Sequence, residues 1–387
     1  MVMASFDGWL TTGRFNSEFQ KKLSAFLGVK HLITVNSGSS ANLVAFSSLT
    51  SHLHKDRAIK PGDEVISVAA GFPTTVNPIF QNGAVPVFVD IKLPTYNIDE
   101  ELIEEAITKK TKAIMLAHTL GNPFNLNKIG EICKKYNLWL IEDNCDALGS
   151  KYNNQFTGTF GDVATLSFYP AHHITMGEGG AIFTNNSRIK RVSESFRDWG
   201  RDCYCEPGVE NTCKKRFEWQ LGKLPFGYDH KYIYSHIGFN MKITDMQAAC
   251  GLGQLENLEI FIEKRKTNVL FLKKQLTELQ DEIHLPEAEI NSDPSWFGFP
   301  ITIKKESKFR RTDLIKKLTE SKIGTRLLFS GNLTKQPAYL SKKFIVHGKL
   351  DTTDLIMNNT FWVGIQPAIG EEELSFIAQT LKNFFKK

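Results

Sequence analysis

From residue 30 to about 185, short apolar runs alternate with amphipathic stretches. Seven runs predict strands: HLITVN (31–36), DEVISVA (63–69), PVFVD (86–90), KAIMLAH (112–118), LWLIED (138–143), VATLSFY (163–169) and AIFTN (181–185). Between most of them lie helix-length segments such as DEELIEEAI (99–107) and LNKIGEICKKY (126–136). Strands that are apolar on both faces predict a mostly parallel sheet covered by helices on both sides.

Residues 187–243 break this rhythm. Rich in Cys, Trp, Tyr, Gly and charge, they read as an insertion made of loops. A helical stripe then runs through Met246, Leu252, Leu255, Leu258 and Ile262, predicting one long helix from Thr244 to about Leu276. Beyond Pro286 the pattern becomes α+β, with WFGFPITI (296–303), a helix near 311–321 and a last helix from Glu371. The expected domains are a large α/β domain over 1–255, a connecting helix over 256–282 and a small α+β domain over 283–387.

A chain of 387 residues with 41% hydrophobic and 23% charged residues has the composition of a globular protein of two domains. Its net charge of +5 is mild and no basic tail is present, which argues against nucleic-acid binding. The first residues, MVMASFDGWLTTGRF, lack the basic-then-apolar order of a signal peptide, and no apolar run has membrane-spanning length. The expectation is a cytoplasmic protein whose six cysteines stay reduced, so clustered cysteines are candidates for metal.

In such sheets ligands gather at the C-terminal ends of the strands. After the first strand, NSGSSAN (36–42) opens a helix with small hydroxyls, either a phosphate cradle or an ordinary serine cap. After the second, AAGFPTTVN (69–77) puts Phe72 at a loop tip, to stack on a flat ring or simply to pack. Asp143 ends the fifth strand in IEDNCDALG (141–149), where a carboxylate needs a positive partner or caps the next turn. Ser167 ends the sixth, five residues before His172 in SFYPAHHITMGEGG.

Taken in order, NSGSSAN, IEDNCDALG, SFYPAHHITMGEGG and GFNMKITDMQAA (238–249) resemble the signature segments of the nucleotide-sugar aminotransferase family. The resemblance spans essentially the whole chain and implies an aspartate-aminotransferase-like α/β fold (PLP fold type I). It implies phosphate contacts from Gly38, Ser39 and Ser167, with Asn240 supplied by the partner subunit of a homodimer. Asp143 is implied to pair with the pyridine nitrogen, and Phe72 to stack on the ring. Where the family keeps its Schiff-base lysine this chain has His172, and Asp146 stands where Gln or His is common.

Those departures, with RDCYCEPGVENTCKKRF and LPFGYDHKYIYSH, resemble the family's CDP-4-keto-6-deoxy-D-glucose-3-dehydrase branch. That branch implies pyridoxamine 5′-phosphate (PMP) in place of tethered pyridoxal phosphate (PLP), a [2Fe–2S] cluster and an NADH-dependent flavin/iron–sulfur reductase as partner. An imidazole cannot tether the aldehyde cofactor, yet it titrates near neutrality and serves as a base. His172 is therefore the expected catalytic base, with Tyr169 and Asp146 tuning the site; His173 reads as structural.

Cys145, Cys203, Cys205 and Cys213 are spaced C-x57-C-x-C-x7-C. Thiolates hold either iron–sulfur clusters or structural zinc, and the branch resemblance, with the reaction's need for single electrons, turns the expectation to iron. Cys133 and Cys250 read as core residues. Lys214, Lys215 and Arg216 read as a solvated charge run or a dock for an acidic reductase. Phe297 and Arg326 are candidates to close over the substrate, Arg326 through a bidentate grip on a diphosphate. Two alternatives stay open: a cluster-free, glutamate-dependent dehydratase, and a non-catalytic member holding structural zinc.

Overall fold

The computed structural model describes residues 1–205 and 208–386. Seven strands form where apolar runs were expected: β1 (His31–Val35), β2 (Glu64–Val68), β3 (Val85–Val89), β4 (Thr111–Ala117), β5 (Trp139–Asp143), β6 (Val163–Ser167) and β7 (Gly180–Thr184). The chain divides into two compact units, Met1–Ile59 with Asp162–Glu256, and Lys60–Gly161 with the chain from Asn257 onward.

In the first unit β7 lies antiparallel between β1 and β6, with Gly180 opposite both Val35 and Ser167. The helix Arg14–Leu27 buries Phe19, Leu23 and Leu27, and Phe19 meets Phe168 edge-on at 5.3 Å. The start of this helix is satisfied from a distance. The buried Asp245 carboxylate accepts the N–H groups of Gly13, Phe15 and Asn16 at 2.9, 3.2 and 2.8 Å, which places a negative charge where a helix dipole favours one.

In the second unit β5, β4, β2 and β3 run parallel, in that order, with the two-residue strand Ile345–Val346 beyond β3. β2, β3 and β5 are buried at every position, as a sheet covered on both faces requires. Further on, β8 (Gly298–Ile303), β9 (Thr325–Leu327) and β10 (Thr360–Gly364) form an antiparallel sheet, with β10 paired to both others. Phe299, Phe361, Leu272 and Leu381 are fully buried in its core, each contributing roughly 1.5–3 kcal/mol by removal from water.

Three local expectations change. Residues 187–243 are not all loop. Asn186 caps a helix, Ser187–Arg197, whose Ile189, Val192 and Phe196 are buried. The helical stripe from Thr244 to Leu276 is two helices, Asp245–Leu255 and Leu258–Leu276, because the chain leaves helical geometry at Asn257 (φ −104°, ψ 1°). The first packs on Arg14–Leu27 and the second on the last helix, Glu371–Phe385. Residues 99–107 make a 3-10 turn, Glu100–Leu102, and a single turn of helix, Ile103–Ala106. Among the described residues no helix is long and apolar enough to cross a membrane.

Candidate functional site

At the C-terminal end of β1, Ser37 caps the helix Gly38–Ser48 by accepting the Ser40 N–H at 3.0 Å. Gly38 is buried and Ser39 exposed at the positive end of this helix. Gly180 passes so close that a Cβ there would lie 2.4 Å from the Ser37 carbonyl oxygen, so this crossing needs glycine. One residue upstream, the Asn36 N–H donates to the Met241 carbonyl at 2.9 Å. The cradle is thus tied to the segment bearing Asn240, which is itself exposed.

Because Gly180 stands in register between Val35 and Ser167, the cradle and the Ser167–His172 turn leave the sheet at one end. Ser167 is buried and its hydroxyl accepts the Tyr169 N–H at 3.3 Å. Phe168 then clamps the turn at both ends: its N–H donates to Gly179 at 2.8 Å and its carbonyl accepts from Met176 at 2.9 Å. Inside the clamp the His172 N–H donates to the Tyr169 carbonyl at 2.9 Å. Tyr169 is exposed, His172 partly buried and His173 buried.

In the second unit the helix Pro73–Gln81, which follows β2, reaches the end of β5. Thr75 Oγ1 donates to Asp143 Oδ2 at 2.6 Å, and the Cys145 N–H donates to Oδ1 at 3.2 Å. Phe72 is half-exposed and meets Phe329 edge-on at 5.8 Å. Asp146 keeps some exposure as a residue. Desolvation of its carboxyl and the nearby Asp143 charge push it up to about 8, against the pull of the Leu120 N–H and Arg265. Arg265 is buried, and desolvation brings it down to about 10 while it donates to the Phe297 carbonyl at 3.0 Å. Phe297 is buried against Trp362, ring centres 5.4 Å apart. Arg326 is exposed and donates to the neighbouring Thr325 carbonyl.

Next to Asp143 stands a group that sequence reasoning missed. Glu142 is wholly buried, and its carboxylate accepts the N–H groups of Gly158, Phe160 and Gly161 at 2.7, 3.0 and 2.6 Å. It also meets His118 Nε2 at 3.0 Å, and the His118 ring stacks on Phe124. A Glu inside an otherwise apolar strand was the available signal. The pair secures the 157–161 loop beside the turn that carries Asp143, Cys145 and Asp146.

Cys203, Cys205 and Cys213 line one small cavity, together with His230. Burial raises the Cys203 thiol. Burial also raises Cys205, but hydrogen bonding, including the Thr212 N–H at 3.4 Å, outweighs it and holds that thiol low. Cys213 Sγ lies 4.0 Å from His230 Nδ1. Cys145 belongs to the second unit and is partly buried. Among the described residues no group of three or more His, Cys, Asp or Glu side chains is placed to hold a metal ion. Arg216 is engaged locally by Asp229 and Glu210 at 2.7 and 2.8 Å, whereas Lys214 and Lys215 are exposed.

The chain is 63% identical over 385 residues to the lipopolysaccharide biosynthesis protein RfbH of Salmonella typhimurium, covering all of this chain and 88% of that protein. It is 49% identical to the dTDP-4-dehydro-2,6-dideoxy-D-glucose 3-dehydratase of Saccharopolyspora spinosa, covering all of this chain and 84% of the relative. Among solved structures, E. coli GDP-4-keto-6-deoxy-D-mannose-3-dehydratase with bound hydrated PLP superposes with a TM-score of 0.87 at 29% identity, over 98% of this chain and 94% of that one. The fold is α/β, of the aspartate-aminotransferase-like PLP fold type I, with a mostly parallel large sheet. Residues 2–382 match the DegT/DnrJ/EryC1/StrS aminotransferase family, and the chain belongs to it.

Proposed function

We propose that the chain is a PMP-dependent nucleotide-4-keto-6-deoxyhexose 3-dehydratase that carries a [2Fe–2S] cluster and acts on a CDP-linked sugar. The carrying observation is the clamped turn at 168–176, whose reactive side chain is an imidazole. No lysine stands between Lys151 and Lys190 to tether an aldehyde. The relatives at 49% and 32% identity bear the names of a dTDP-sugar and a GDP-sugar 3-dehydratase, which supports dehydration over amino transfer.

The residues present fit the cofactor. Gly38 and Ser39 at a helix start, and Ser167 at the end of β6, would hold its phosphate, and Asp143 would pair with a protonated ring nitrogen. Phe72 is free enough to cover the ring, and Asn240 of a second copy completes the phosphate site in a homodimer. When bound, PMP supplies the amine for the sugar's C4 ketone and an electron sink. With PMP bound, His172 would serve as the base for a proton at the cofactor's C4′ carbon. By the family resemblance Tyr169 and Asp146 are assigned to tuning the chemistry, and Phe297 and Arg326 to the substrate side.

The cluster rests on the spacing of Cys203, Cys205 and Cys213, with Cys145 proposed as the fourth ligand; among the described residues these side chains are not gathered as a metal group. A [2Fe–2S] cluster held by these cysteines would supply single electrons, with an NADH-dependent flavin reductase as the proposed partner. The second reading, a cluster-free enzyme that restores its amine from glutamate, is supported by a similar solved structure, a GDP-4-keto-6-deoxymannose-3-dehydratase with a trapped PLP-glutamate geminal diamine. Iron and acid-labile sulfide in anaerobically purified protein test the choice: both present supports the cluster, and neither present with glutamate consumed supports the alternative.

A further inference from the structure

A cavity of about 580 Å³ opens in the first unit, lined by Trp9, Trp199, Arg201, Lys231, Asn240 and Lys242 among others. Trp199 in this lining is 41% exposed and held at φ 63°, a left-handed conformation that a bulky residue rarely keeps. The backbone enforces it. The Trp199 N–H donates to the Phe239 carbonyl at 2.6 Å, and Gly200 packs so tightly that a Cβ would lie 1.8 Å from the His236 carbonyl oxygen. The indole is thereby presented to two cations, Lys242 Nζ at 3.9 Å and Arg201 Cζ at 4.9 Å from the ring centre.

The anions nearby are already engaged elsewhere. Asp198 is gripped by Arg197 at 2.9 and 3.1 Å and reaches Lys242 only at 3.8 Å. Glu194 pairs with Lys190 at 2.7 Å, and Lys231 with Glu210 at 3.0 Å. Arg201 has no carboxylate partner among the described residues, and its buried Nε finds no acceptor there. A buried guanidinium N–H left without an acceptor is costly unless a ligand supplies one.

We propose that Arg201 and Lys242, mounted on Trp199, bind the diphosphate of the nucleotide sugar. This deepens the dehydratase reading and rests on it. The shared chemistry is a phosphate anion, which the cofactor also carries. Two cations suit the two charges of a diphosphate, and the volume is that of a small-molecule site rather than of a lone phosphate. Asn240, already assigned to the cofactor phosphate, lines the same cavity, so one face of the unit offers both grips.

The test is calorimetric titration of PMP-loaded protein with CDP and, separately, with inorganic pyrophosphate, in wild type, Arg201→Gln, Lys242→Gln and Lys242→Arg. Losing one charge-assisted bond should weaken CDP about 10–100-fold in either Gln variant. PMP retention should be unchanged, and Lys242→Arg should bind CDP much as wild type does. Unchanged CDP affinity in both Gln variants overturns the assignment. So does loss of PMP with CDP binding intact, which would move the cations to the cofactor phosphate. Pyrophosphate binding that depends on both cations, in a protein that ignores CDP, keeps this site and removes the nucleotide-sugar reading instead.

Discussion

The Thr75 hydroxyl donates a 2.6 Å hydrogen bond to Oδ2 of the buried Asp143 carboxylate. The Cys145 N–H takes the other oxygen, so the carboxylate is held from both sides at the end of β5. In Thr75→Val the hydroxyl is lost with little change in shape, and a hydrogen bond to a charged group is worth about 1.5–3 kcal/mol. PMP affinity measured by fluorescence titration should fall by roughly tenfold or more. Unaltered affinity would show that Asp143 is oriented without Thr75.

Asp146 makes stability depend on pH. Its carboxyl is raised to about 8 by desolvation and by Asp143, above its value in the unfolded chain. Between those two values the folded protein binds the extra proton, so stability falls as pH rises from about 4 toward 8. Melting temperatures of cofactor-free protein at pH 5 and pH 8 should differ more in wild type than in Asp146→Asn. An Asn variant with the same decline would remove Asp146 as its source.

Glu142 carries the loop beside the site. Glu142→Ala leaves the Gly158, Phe160 and Gly161 N–H groups and the buried His118 without their acceptor, a change of about 3–5 kcal/mol by the measure of broken buried pairs. Urea unfolding should show a loss of that size, with Glu142→Gln intermediate because it keeps one acceptor. A loss below about 1 kcal/mol would mean that the 157–161 loop is held by other contacts.

Cys205→Ser should abolish bound iron, while Cys133→Ser and Cys250→Ser should leave it in place. Cys133 is a buried helix residue, and Cys250 Sγ is 3.7 Å from the Thr175 carbonyl. Equal iron in all three variants would rule out the four-cysteine set.

How far the sequence could be read depended on whether the signal was local. The strands announced themselves because both faces are buried and their runs are mostly apolar, wholly so in Val85–Val89. The helix Ser187–Arg197 was hidden by its charge; its inward face needs only Ile189, Val192 and Phe196. The break at Asn257 was invisible because the two helices pack on different partners, Arg14–Leu27 and Glu371–Phe385, which periodicity does not encode. Asp143 and Ser167 were legible as polar residues ending apolar runs. Glu142 and Trp199 were not, since their roles come from the 157–161 loop and from the backbone clasp of Phe239, contacts distant in sequence.

On the proposed reading, His172 sets this enzyme to dehydration and not to amino transfer. This is tested most directly with PMP-loaded protein and a CDP-4-keto-6-deoxyhexose bearing a heavy-oxygen label at C3, with released water and sugar product read by mass spectrometry in a single turnover. Wild type should release the label into water, and His172→Asn should do so about 10²–10⁴-fold more slowly while retaining PMP. A product that keeps the labelled C3 oxygen and gains an amino group at C4 would contradict the account.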